Sequence, residues 1–123
     1  MLTLRPEQIR AFAEVGLKRL EETMVAHLKK FFPDRCEAAG ELKVRKLIRY
    51  GIERAASYNI TAQRDVSRYI DLMMALGPDF DKDKQLPWAG EILRTRNQPE
   101  VRISILLKTA EKHLKESQNH GRP

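Results

Sequence analysis

The chain has 123 residues, 33% of them charged, and a mean hydropathy of -0.54, which argues for one domain able to bury roughly two-thirds of its unfolded surface without staples. No apolar run approaches the roughly 20 residues of a membrane span, and Met1-Leu2-Thr3-Leu4-Arg5-Pro6 lacks the basic-then-apolar pattern of a signal peptide, so the expected compartment is the cytosol. The lone Cys36 excludes an intrachain disulfide and a thiolate metal site, while a net charge of +6 admits nucleic-acid or acidic protein partners.

Pro6 suits the first position of a helix because its missing N–H would be orphaned there anyway. Ile9, Phe12, Ala13, Gly16, Leu17, Leu20, Met24, Leu28 and Phe31 then recur at three- and four-residue steps, an amphipathic stripe of about seven turns. Lys18, Arg19, Glu21, Glu22, Lys29 and Lys30 fall largely outside it. Pro33 ends this helix and forces Phe32 out of the helical region. Residues 34–39 predict a short helix with Asp34 as its cap and Gly40 as its stop. Cys36 in this setting reads as a small buried hydrophobe, because nothing local supplies the base a nucleophile needs.

A third helix is predicted over residues 41–58, with Leu42, Val44, Leu47, Ile48, Gly51, Ile52 and Ala55 as its stripe. Gly51 costs about 1 kcal/mol against Ala there and marks a close helix crossing. Asn59 is the expected left-handed stop. Thr61 is the expected cap of a fourth helix. Ala62, Val66, Tyr69, Ile70, Leu72, Met73 and Leu76 make that helix apolar around more than half its girth, so it is the expected central helix. Gly77-Pro78 stops it. Pro87 opens a short fifth helix with Trp88, Ile92 and Leu93 inward. Pro99 opens the last, with Val101, Ile105, Leu106, Ala110 and Leu114 inward. Residues 118–123 read as a frayed polar tail. No segment alternates with period two, and no hairpin signal occurs. The expected fold class is all-α, a single-domain bundle of five or six helices over residues 1–117.

Asp79, Asp81 and Asp83 imitate the opening of an EF-hand loop, but position six is Lys84 and position twelve is Gly90, where calcium requires Gly and a bidentate Glu. The expectation is a loop in which Asp79 or Asp81 caps local N–H groups while Phe80 and Trp88 pin it to the core. A helix-turn-helix is the alternative reading of residues 41–77, with Gln63, Arg64, Ser67 and Arg68 toward a major groove. Against it, Asp65 and Asp71 neutralise the second helix, whose largest face is apolar. His27, His113 and His120 form no His-x-x-x-His pair, so no metal is expected. Glu21 and Glu22 stand about 100° apart on a helix, which is no facing carboxylate pair. No Gly-rich phosphate loop or Ser-His arrangement exists. Neither enzymatic activity nor a cofactor is expected. Positive charge is split between residues 41–60, with five basic and two acidic side chains, and residues 99–123, with five and three.

The segments Leu47-Ile48-Arg49-Tyr50-Gly51-Ile52-Glu53-Arg54-Ala55, Tyr58-Asn59-Ile60, Asp65-Val66-Ser67-Arg68-Tyr69-Ile70-Asp71-Leu72-Met73, Gly77-Pro78-Asp79-Phe80-Asp81 and Leu86-Pro87-Trp88-Ala89 together resemble a group of small helical bacterial proteins often encoded beside spike-tip and toxin genes of type VI secretion systems. Arg5-Pro6-Glu7-Gln8 and Phe31-Phe32-Pro33 fit the same pattern, which covers roughly residues 4–93. The resemblance implies a protein-binding module, an adaptor or chaperone for a secreted effector, with an immunity protein as the competing role. Such a surface needs aromatic or Arg anchors. Tyr50, Tyr58, Arg68, Phe80 and Trp88 are the candidates, and core packing is the competing reading for each aromatic.

Overall fold

The computed structural model describes the backbone of residues 6–120 and the side chains of residues 16–117. It is all-α, with α1 (Pro6–Phe31), α2 (Pro33–Ala39), α3 (Glu41–Ser57), α4 (Gln63–Leu76), α5 (Pro87–Leu93) and α6 (Pro99–His120), plus a 3-10 turn at Phe80–Lys82. Among the described residues there is no strand, and no helix is long and apolar enough to cross a membrane. The chain divides into two compact units, Met1–Arg49 and Tyr50–Pro123. α3 contributes its first half to one and its second half to the other. The predicted tail begins inside α6, which continues through residues 118–120; residues 121–123 lie outside the described residues.

In the first unit, Met24, Val25 and Leu28 of α1, Cys36 of α2 and Val44 and Ile48 of α3 are buried. The predicted α1 stripe is only partly the buried one. Val25 enters it, whereas Leu17 and Phe31 are 40% and 60% exposed. The Ile9, Phe12 and Ala13 part of the stripe, like Arg5-Pro6-Glu7-Gln8, lies outside the described side chains. Leu42 is also turned out, at 69% exposure. α2 starts one residue earlier than expected. Phe32 is its cap position, with no side-chain cap bond, and Pro33 fills the first turn, so Asp34 is not the cap. Gly40 ends α2 at φ 86°, a conformation that suits glycine.

Glu21 is 6% exposed and is reached by Arg49 Nε at 2.9 Å and Arg45 Nη1 at 3.6 Å. Glu22 takes a hydrogen bond from Arg45 Nη1 at 2.7 Å, which holds its carboxyl below the usual range. These two glutamates therefore tie α1 to α3. The outer pairs, such as Lys29–Glu41 at 3.3 Å, are screened by solvent and add little.

In the second unit α3 ends in a Schellman arrangement. Ile60 N–H donates to Ala55 O and Asn59 N–H to Ala56 O, both at 2.9 Å, with Asn59 at φ 63°. Ile60 is fully buried beyond the turn. The N-cap of α4 is Ala62, with no side-chain bond, so Thr61 does not cap it; Asp65 in the first turn instead complements the helix dipole. α4 buries Val66, Tyr69, Ile70, Leu72 and Met73 and ends at Gly77, φ 116°. A methyl group on Gly51 would sit 2.7 Å from Ile70 Cγ1 and 2.8 Å from Met73 Sδ. The missing side chain is what lets α3 and α4 approach.

α6 buries Arg102, Ile103, Leu106 and Ala110. The expected inward residues Val101, Ile105 and Leu114 are 41%, 38% and 37% exposed. The cause is Arg102, 6% exposed. Its Nη2 donates to Tyr58 O at 2.7 Å, its Nη1 to Leu93 O at 2.7 Å and its Nε to Asn97 O at 3.0 Å. One guanidinium thus satisfies the carbonyls that end α3 and α5 and a third in the following loop. Holding it inward rotates α6 away from the register its aliphatic residues suggest.

Two outcomes are expected. Gly51→Ala lowers stability by about 1 kcal/mol despite better helix propensity, because overpacking outweighs the gain; a urea midpoint equal to or above the wild type's would contradict this. Arg102→Met costs about 3 kcal/mol or more through three unpaired carbonyls, and Arg102→Lys recovers only part, since an ammonium lacks the planar fork. Thermal unfolding of the three proteins orders them.

Candidate functional site

The loop after α4 distributes its three aspartates to three tasks. Phe80 is 1% exposed, with its ring 5.1 Å from that of Tyr69, and this turns Asp81 inward. The Asp81 carboxylate accepts hydrogen bonds from Arg54 Nη2 and from Tyr58 Oη, the latter at 2.7 Å. Asp79 accepts one from the Tyr50 hydroxyl. Asp83 Oδ1 accepts the N–H of Gln85 at 2.9 Å. Local capping therefore belongs to Asp83, while Asp79 and Asp81 bind side chains of α3 and of the turn that follows it. Among the described residues no three His, Cys, Asp or Glu side chains gather into a metal-binding group.

Burial works to raise the Asp81 carboxyl, but the Arg54 and Tyr58 hydrogen bonds and the Arg54 charge outweigh it and hold it below the ordinary range. The same pairing pushes the Arg54 guanidinium up. Burial, ahead of the Asp81 bond, raises Tyr58, and burial raises Tyr69 as well. These groups keep fixed protonation states near neutrality. The cluster has the character of a structural clasp, with no acid or base poised for transfer.

One accessible feature of this unit is a groove of about 580 Å³ between α4 and α6. Arg64 and Arg68, one turn apart on α4, form one wall; Val101, Ser104, Ile105 and Lys108 of α6 form the other. The groove exists because α4 turns Val66, Tyr69, Ile70 and Met73 to the core and leaves its cationic side outward. Arg102 does the complementary work on α6 by turning Val101 and Ile105 out. The result is an apolar strip bordered by Arg64, Arg68 and Lys108, with Asp65 and Glu100 at one end.

Of the five predicted anchors, Arg68 is half-buried and lines this groove. Tyr50 and Tyr58 are half-buried with their hydroxyls committed to Asp79 and Asp81. Phe80 belongs to the core and offers no surface. Trp88 is half-buried, its ring 5.7 Å from that of His113. The structure does not bring the five together. Val101 and Ile105 are the surface residues that sequence reasoning assigned inward. The only sequence signal for them was the competing stripe Ile103, Leu106 and Ala110 on the same helix. Of the helix-turn-helix residues, Gln63 and Arg64 are exposed and Ser67 is half-buried. Cys36 is buried, and burial pushes its thiol up, away from a nucleophile's range. His27 lies against Phe31, ring centroids 4.8 Å apart. The His120 side chain lies outside the described residues.

The Asp81 clasp has a pH signature. A carboxyl whose folded value lies below its unfolded one stabilises the fold fully above the unfolded value, about 3.9, and loses that contribution as pH falls through the folded value. Wild-type stability is expected to drop as pH falls below about 4 more than that of Asp81→Asn, which itself loses roughly 3 kcal/mol at pH 7 by breaking the buried pair. Equal losses on acidification in both proteins would show that Asp81 carries none of the effect. Compared with protein-family models, with curated proteins and with solved structures, the chain has no match.

Proposed function

We propose that this chain is a non-enzymatic, cytoplasmic protein-binding module whose α4–α6 groove receives an amphipathic helix bearing acidic side chains. The observation that carries the reading is the exposure of Val101 and Ile105 in a groove bordered by Arg64, Arg68 and Lys108. An apolar helical stripe would cover the two aliphatic residues, and carboxylates at its margins would meet the three cations. The resemblance of residues 47–89 to proteins encoded beside type VI secretion genes supplies the class of partner. The role is that of an adaptor or chaperone holding a secreted effector before loading, and an immunity protein would use the same surface on a toxin.

The test is co-expression with the neighbouring effector, followed by affinity measurement on the purified pair. Ile105→Asp and Arg68→Glu are each expected to weaken binding about thirtyfold, the effect of losing an interface hot spot of roughly 2 kcal/mol. Binding that survives both substitutions would remove the groove from the interface, and no effector binding at all would remove the adaptor reading. Inhibition of a bound toxin by the chain would assign the immunity role. Arg64 and Arg68 also permit the nucleic-acid reading. A low-salt duplex titration whose affinity falls with salt and is lost in Arg64→Gln/Arg68→Gln would replace the protein partner with DNA.

A further inference from the structure

A second recess of the same unit, about 570 Å³, opens where α3 and α5 end and α6 begins. It shares no lining residue with the groove. Arg94, Arg96 and Arg102 all line it, and no carboxylate does. Arg102 forms its buried base, its donors aimed at the neutral carbonyl oxygens of Tyr58, Leu93 and Asn97. That arrangement satisfies hydrogen bonding and leaves a full positive charge without a counter-charge. Arg94 and Arg96 are exposed, and no described carboxylate pairs with either. The Arg94 guanidinium lies over Gly90, with Nη1 3.0 Å from where a methyl group there would sit, so the glycine makes room for it. The remaining lining is chiefly polar, including Ser57, Asn59 and Gln98. Glu100, the second residue of α6, lines the groove and the neighbouring hollow instead. Three arginines lining one recess without an acid create a local field that favours an anion, and guanidinium forks match the geometry of phosphate oxygens.

We infer that this recess is a phosphate-binding site, taking inorganic phosphate or the phosphoryl end of a small phosphomonoester. Arg94 and Arg96 contact the oxygens through their forks, and Arg102 supplies charge from below while remaining bound to its three carbonyls. The site does not depend on the groove or on a protein partner.

The experiment is an NMR titration of the full chain with inorganic phosphate and, separately, with phenyl phosphate, at constant ionic strength balanced with chloride. Saturable amide shifts confined to residues 94–102 and their neighbours at 57–59 are expected, and the tighter of the two ligands identifies free ion or phosphomonoester. Arg94→Gln/Arg96→Gln, at two exposed positions, is expected to keep the wild-type circular dichroism and weaken binding about tenfold or more. Ile105→Asp is expected to bind phosphate as the wild type does, which separates this site from the groove. Shifts that do not saturate, or that persist in the double Arg variant, would overturn the assignment. So would a DNA duplex that binds through Arg94 and Arg96 when neither small phosphate does.

Discussion

One guanidinium organises the second unit. Arg102 donates to three carbonyls from three parts of the chain, the end of α3, the end of α5 and the loop that leads into α6. A helix end buried without partners is costly, and two such ends meet here. Satisfying both with one planar donor fixes where α6 begins and which way it is turned. The exposure of Val101 and Ile105, and hence the groove, follows from that rotation. The phosphate recess follows too, because the same three carbonyl ends form its walls. Both surfaces are side effects of closing the unit.

The polar interior is of two kinds. In the first unit the buried Glu21 and the exposed Glu22 meet Arg45 and Arg49, whose guanidinium groups reach solvent, which weakens the pairs they make. In the second, Arg54, Tyr58 and Asp81 meet where the aspartate side chain is fully covered. A buried pair of this sort adds little over an apolar substitute but is expensive to break singly. Its contribution is specificity of placement. It holds the acidic loop to α3 in one register, which Phe80 packing against Tyr69 alone would leave less defined.

Much of the fold was legible because backbone punctuation is local. Pro6, Pro87 and Pro99 open helices where expected, Pro33 ends α1 as expected, and Gly40, Asn59 and Gly77 close helices at positive φ. Gly51 was readable as a crossing point for the same reason, since only an absent side chain justifies glycine mid-helix. The rotation of α6 was not legible. Val101 and Ile105 on one side, and Ile103, Leu106 and Ala110 on the other, both keep helical spacing, and an Arg among them reads as solvent-facing. Its inward turn depends on carbonyls supplied from residues 58, 93 and 97, which no local pattern reveals. The same holds for Asp81, whose partners lie 23 and 27 positions away. The type of each aromatic anchor was plain, but its exposure depended on tertiary contacts, and Phe80 went to the core.

All three tyrosines, Tyr50, Tyr58 and Tyr69, and the single tryptophan, Trp88, belong to the second unit. The first unit carries phenylalanine alone among the aromatics. The chain is therefore optically one-sided. Its near-ultraviolet absorbance and its emission originate almost entirely from residues 50–123, with the indole half-buried beside His113 where α5 meets α6. Loosening of that seam would wet the indole and move its emission to the red. An equal loosening around Glu21, Glu22 and Arg45 would pass in silence.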